Sequence, residues 1–243
     1  MNAPAATVSD RPHVRPLEAW RALRILLRDP DDTKQVFRII DALSGRSGER
    51  LFERFRKTPA GARILGERRS LLRTLSDRSA LLALPAGSLG RAYADFVSRE
   101  QLSADGLVEA SVEGGRRLDI GDERRLFSER LRDMHDLWHV VTGYGRDLVG
   151  EAALLAFSYA QTRNRGIGFI VAVAWLRAGR AGAAFRRTIE DGYRRGRTSE
   201  WLPAADWEAL LSRPVGEVRE TLRVGAQPRY DEVRSTGAPP AAA

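Results

Sequence analysis

The sequence contains no cysteine. Disulfide staples and thiolate metal sites are therefore excluded, and any metal must be held by His, Asp and Glu. Lysine is nearly absent too: Lys34 and Lys57 are the only ones among 40 basic residues. The net charge of +8 rests on arginines interspersed with 32 acidic residues, with no segregated basic patch. Such arginine usage reflects a GC-rich genome more often than a binding need, so no nucleic-acid partner is expected. A weak attraction to anionic membrane surfaces is what the charge leaves open. Long apolar runs are also missing. Gly166 to Leu176 is the most apolar stretch, about half of the ~20 residues that cross a bilayer, and Arg177 ends it. No hydrophobic signal core stands at the N-terminus, so an intracellular protein, soluble or membrane-peripheral, is the expectation.

What is present is helical periodicity. Hydrophobic residues make up 43% of 243, enough for a sizeable core. Residues 1–14 and 226–243 are Ala/Pro-rich and aperiodic and read as disordered tails, with His13 in the first. Residues 15–225 read as a single all-α domain, with no alternating pattern that argues for strands. Leu17, Trp20, Leu23 and Leu27 recur at helical spacing. Asp29-Pro30 stops that helix and opens the next, which carries Val36, Phe37, Ile40 and Leu43 and closes at Gly45. Residues 50–56 are amphipathic, and Thr58-Pro59 opens another helix. Ser88 caps a helix through Val97, and Ser103 starts a shorter one through Leu107. A long helix is expected from Asp119 or Asp122 to Val141, stopped by Gly143 and Gly145. Glu151 begins the next, running to about Gln161. One further helix is expected over 166–193, then a short one near 204–211 and Val215 to Leu222.

The chemistry concentrates where the long helix ends. Of the three histidines, two stand in Met134-His135-Asp136-Leu137-Trp138-His139. His135 and His139 are four apart, so both imidazoles share one helix face and can reach one ion. Asp136 lies about 100° round the helix from His135. It either ligates from the edge of that face or accepts a hydrogen bond that orients an imidazole. Glu151 follows across a Gly-rich turn that can fold a helix pair back onto the same point. Apolar stripes flank all four, and burying such groups there without a compensating charge is expensive. A divalent cation supplies that charge. The bland alternative is two core histidines and two solvated acids, the usual fate of a bare H-x-x-x-H. Two His with carboxylates suit zinc, iron or manganese. No Glu follows His135, which argues against the zinc-peptidase mechanism.

Three further segments carry weaker signals. Tyr144, Arg146 and Asp147 could bind an anionic group or simply form a polar turn. Gly166 to Phe185 is rich in Gly and Ala, which permits close helix packing or lines a tunnel for a long apolar ligand. Arg194, Arg195 and Arg197 could meet lipid phosphates, although such runs are more often solvated.

With these residues in view, the chain resembles the ubiquinone (coenzyme Q) biosynthesis family of the fourth Coq protein. The family's hallmark is H-D-x-x-H, eleven residues, then E, intact here as His135, Asp136, His139 and Glu151. The opening RPLEAWRALRILLRDPDDTKQVFRIIDALSG, the middle LPAGSLGRAYADFVSREQLSADGL and the closing WEALLSRPVGEVRETLRV also resemble it, so the likeness spans roughly 15–225. It implies an all-helical fold with the metal site at a helix–turn–helix junction and a role in making ubiquinone. Two roles are implied as alternatives. One is an enzyme that removes the carboxylate of a polyprenylated hydroxybenzoate-type ring, coupled to hydroxylation of the same carbon. The other is a lipid-binding scaffold for the other biosynthetic enzymes. Zinc is the first choice of cofactor, with iron or manganese behind it. A polyprenylated quinone precursor, partner enzymes of the pathway and a second copy in a homodimer are the expected partners. Peripheral attachment to the cytoplasmic face of a bacterial inner membrane is the expected location.

Overall fold

The structure, a computed structural model, describes residues 14–30, 32–100, 121–178 and 182–233. The expected helix from Ser103 to Leu107, the Asp119 start and His13 lie outside the described residues. Those described are helical, with no strand among them and one isolated bridge between Ser88 and Pro214.

Local chemistry sets the helix ends. Helices α1 (Pro16–Leu26) and α2 (Thr33–Ser44) are separated at Asp29-Pro30, and Gly45 ends α2 with φ +48°. α3 (Ser47–Arg56) and α4 (Pro59–Gly66) meet at Thr58, whose hydroxyl accepts from Gly61 N at 3.0 Å. α5 (Leu71–Ser76) and α6 (Arg78–Ala83) are short and capped by Ser70 and Asp77. Ser88 caps α7 (Leu89–Arg99), as its position predicts.

The expected single helix from Asp122 to Val141 is two: α8 (Asp122–Asp133) and α9 (His135–Thr142). Met134, with ψ near zero (φ −78°, ψ −5°), separates them. Periodicity persists across this one-residue break because Met134 itself is buried in the core, so the hydrophobic pattern does not reveal it. α10 (Leu148–Thr162) follows the turn, as expected. The single helix expected over 166–193 is also two, α11 (Arg165–Arg177) and α12 (Ala183–Thr198), divided where glycine recurs in Arg177-Ala-Gly-Arg-Ala-Gly182 and helix propensity falls. A 3-10 turn (Leu202–Ala204), α13 (Trp207–Leu210) and α14 (Val215–Thr221) complete the described helices.

α10 is apolar all round, with Ala153, Leu154, Ala156 and Phe157 fully buried, and it lies along α12 in the most extensive helix pairing. α9 is embedded in the main core through Met134, Leu137, Trp138 and Val141, which pack with Leu89 of α7 and Phe157 of α10. A second cluster joins Ala19, Leu23, Ile39 and Ile170 of α1, α2 and α11. Gly166 serves that packing, since a Cβ there would sit 2.5 Å from Ile40 Cα, and Gly168 lets α11 approach α10, where a Cβ would sit 2.7 Å from the Tyr159 ring. α8 is pinned by Arg130, fully buried, whose guanidinium forks onto Glu208 with both contacts at 2.6 Å.

Candidate metal centre

The break at Met134 makes His135 the first residue of α9, with Asp136 beside it in the first turn and His139 one turn on. Gly143 then ends α9 in the left-handed region at φ +77°, where a side chain would be strained, and the chain reverses. Asp147 caps α10 by accepting from Val149 N at 3.0 Å and Gly150 N at 3.2 Å. The cap places Glu151 in the first turn of α10, facing α9.

Ligand atoms of His135, Asp136 and His139 all lie within 4.8 Å of one another, a group that could hold a metal ion. Glu151 closes on the same point, its carboxylate 3.4 Å from His139 Nε2 and 3.9 Å from His135 Nε2. The four residues singled out in the sequence are thus brought together. The ring nitrogens are also sorted. His139 Nδ1 donates to Tyr144 O at 2.8 Å, which leaves Nε2 as the lone-pair nitrogen. That Nε2 is buried and has no hydrogen-bond partner. His135 Nδ1 faces Asp136 Oδ1 at 3.3 Å, so its Nε2 too is turned towards Glu151. An acceptor behind each imidazole is the arrangement that orients histidine for a metal. The donor set and the orphaned Nε2 both fit a divalent cation.

The electrostatics agree. Burial opposes the charged form of His139, but the Glu151 and Asp136 carboxylates outweigh it and raise the pKa. Burial likewise opposes ionisation of Glu151, yet His139, His135 and Arg146 hold its carboxyl at about 2. Glu151 is therefore ionised at any physiological pH.

Several neighbours of the site were not legible as such in the sequence. Phe96 of α7 stacks on His139 with centroids 5.5 Å apart. Tyr93, one turn earlier, is buried, and burial followed by the Asp136 and Asp133 carboxylates pushes its phenol up. Nothing local in the sequence tells a core aromatic from one that walls a site. Tyr144 and Arg195 act behind the site. Tyr144 OH donates to Asp191 at 2.7 Å, and Arg195 lies over the Tyr144 ring at 4.9 Å. Arg195 also donates to Thr142 O at 2.8 Å, while Arg219 donates to Val141 O and Val140 O, both at 3.0 Å. Two cations thus hold the carbonyl end of α9. Within the run Arg194, Arg195 and Arg197, then, Arg195 is buried structure, Arg194 pairs with Asp191, and Arg197 is exposed.

Residues 226–233, expected from composition to begin a disordered tail, pack over the turn instead. Tyr230 OH donates to Asp147 Oδ2 and accepts from Gly145 N, each at 2.8 Å. Val233 N donates to Asp147 Oδ1 at 3.1 Å, and Leu148 N donates to Val233 O at 2.8 Å. Composition missed this because the contacts are backbone and hydroxyl bonds to a partner some eighty residues earlier.

Residues 17–228 match the family described as coenzyme Q (ubiquinone) biosynthesis protein Coq4. A mitochondrial ubiquinone biosynthesis protein coq4 of Talaromyces stipitatus is 34% identical over 76% of this chain and 63% of its own length. That of Arthroderma otae is 32% identical over 76% of this chain and 67% of its own length. The chain thus spans a little under two thirds of the length of most such relatives. A crystal structure of a candidate ubiquinone biosynthesis protein from Nostoc punctiforme superposes with a TM-score of 0.63, covering 88% of this chain and all of the other at 24% identity, a likeness of fold. With a match over nearly its whole length and the H-D-x-x-H…E residues assembled at one point, the chain belongs to the coenzyme Q (ubiquinone) biosynthesis protein Coq4 family.

Proposed function

We propose that this protein acts in ubiquinone biosynthesis as a metal-dependent decarboxylase of a polyprenylated hydroxybenzoate-type ring, replacing the carboxylate by a hydroxyl. The observation that carries the reading is the buried Nε2 of His139, which makes no hydrogen bond and faces the Glu151 carboxylate at 3.4 Å. An imidazole so placed, with its other nitrogen fixed by Tyr144 O, fits a ligand to an ion better than a satisfied core histidine. His135, His139 and Glu151 would hold zinc, iron or manganese, and the Asp136 carboxylate, engaged with His135, completes the set. A bound divalent ion supplies Lewis acidity towards a carboxylate or phenolate and stabilises developing negative charge.

The chain's own residues then have defined tasks. Arg146 Nε, 3.4 Å from Glu151, offers a cation beside the site for an acidic substrate group. Phe96 and the buried Tyr93 form an aromatic wall that excludes water from one side. Asp136 fixes the His135 ring and can take up a proton through it. Exchanging a carboxylate for a hydroxyl removes two electrons from the substrate, so dioxygen or an oxidant of equal capacity has to accept them. We place this chemistry at the inner face of a bacterial inner membrane, where a prenylated substrate resides. Leu17 and Trp20 of α1, both exposed, support that location.

The alternative is a non-catalytic scaffold that holds prenylated intermediates and partner enzymes around a structural metal. His139→Ala separates the two. Catalysis predicts a folded protein that lacks metal, makes no product and accumulates the carboxylated precursor. A scaffold predicts loss of several pathway steps together, or unfolding. If the purified protein turns over no prenylated hydroxybenzoate with zinc, iron or manganese, with or without oxygen, the catalytic reading is wrong.

A further inference from the structure

Asp147 is a buried carboxylate that forms no ion pair among the described residues. Four donors satisfy it instead. Two are the α10 amides of Val149 and Gly150. The other two, Tyr230 OH and Val233 N, come from the closing segment. Tyr230 OH is at the same time the acceptor for Gly145 N. The segment is held from behind as well, since Arg195 donates to Val224 O at 3.1 Å and to Ala226 O at 3.0 Å while its other bond reaches Thr142 O of α9. Gly145, Asp147 and Leu148 are thus fastened to residues 230–233, and Thr142 at the end of α9 is linked through Arg195 to Val224 and Ala226.

That turn fixes where Glu151 stands relative to His139. Asp147 sets the start of α10 four residues before Glu151, and Arg146, next to Gly145, bonds the Glu151 carboxylate itself. We propose that residues 226–233 are a clamp on the metal centre: Tyr230 and Asp147 are positioning residues that hold Glu151 in ligating register, so the clamp sets the affinity and release rate of the ion. The proposal rests on the metal reading given above. It assigns Tyr230, outside the H-D-x-x-H…E motif, a role that acts only through Glu151. Neighbours that orient metal ligands are worth roughly 10- to 100-fold in affinity. Tyr230 stands one step removed from its ligand, so the lower end applies.

The test measures zinc affinity by competition with a chromophoric chelator, together with zinc release rate, for the full chain. Tyr230→Phe keeps the ring and deletes the hydroxyl. It is expected to weaken zinc binding about 10-fold and to speed release, alongside the lower melting temperature of the metal-free protein that the two lost hydrogen bonds bring by themselves. Val233→Pro removes the other N–H donated to Asp147 and provides the same reading if Tyr230→Phe does not fold. The decisive comparison is made in a Glu151→Gln background. A positioning role predicts that Tyr230→Phe then has no further effect on affinity, whereas a merely structural role predicts the same loss in both backgrounds. Wild-type protein that binds zinc with an affinity unaltered by Tyr230→Phe, or altered equally with and without Glu151, overturns the clamp alone. Wild-type protein that binds no zinc overturns the metal reading, and the clamp with it.

Discussion

His139 and Glu151 are a buried imidazole and a partly exposed carboxylate that stabilise each other's charge, and a divalent cation placed between them would take the carboxylate and the imidazole lone pair together. Away from the site, Asp206 shows the same electrostatics in a simpler form. It accepts from Arg63 and Arg69, both at 2.8 Å, and caps α13. Burial opposes its ionisation, but the two guanidiniums prevail and hold its pKa below the ordinary aspartate value. A depressed carboxyl contributes stability that is fully present above its unfolded pKa and is lost as pH falls through the folded one. Asp206→Asn should therefore lower the melting temperature at neutral pH and flatten its decline below about pH 4; an unchanged acid limb in thermal melts would show that other carboxylates govern it. The four motif residues were legible in the sequence because one helix face and one turn carry them. Phe96, Tyr93, Arg195 and Tyr230 were not, because each reaches the site by tertiary packing that leaves no local pattern.

At the scale of elements, the site depends on how closely α10 and α12 approach. A Cβ at Gly192 would lie 2.2 Å from Ala153 O, on the α10 backbone. Gly192→Ala must push the two helices apart, at a cost of about 2 kcal/mol or more, and should loosen metal binding at the start of α10. Gly48, exposed in the first turn of α3, has nothing within 4 Å of its Cβ position. Gly48→Ala should be neutral or stabilise by about 0.5 kcal/mol through helix propensity alone. Chemical denaturation of the pair checks both signs, and equal effects would mean that α12 packing is not limiting. Helix identity was readable where an amphipathic stripe met a cap, as at Ser88, or where a cap stood before proline, as at Thr58-Pro59. The breaks at Met134 and before Ala183 were not, since hydrophobic periodicity carries across a one-residue break or a short Gly-containing joint. α5 and α6 were missed despite caps at Ser70 and Asp77, being too short for a periodic signal.

For the whole molecule, no helix among the described residues is long and apolar enough to cross a membrane. Apolar exposure gathers on α1 instead, where Leu17 is 74% and Trp20 54% exposed, with Arg21, Arg24 and Arg28 exposed around them. An apolar and cationic helix face suits the headgroup boundary of an anionic bilayer. The protein should co-sediment with vesicles containing anionic lipid, less so at high salt, and Leu17→Ala with Trp20→Ala should reduce binding several-fold. Equal binding to neutral vesicles, or concentration-dependent dimerisation lost in the same variant, would assign that face to something other than an anionic surface. The segment over the turn between α9 and α10 has a consequence in time as well as in space. Tyr230 is made 83 residues after Asp147. At about 5–20 residues per second that is a lag of roughly 4 to 17 s. Throughout that interval the nascent chain displays its histidines and carboxylates on an unfastened turn, so a metal held by the proposed clamp would be selected after synthesis has passed Tyr230, from the ions around the finished protein.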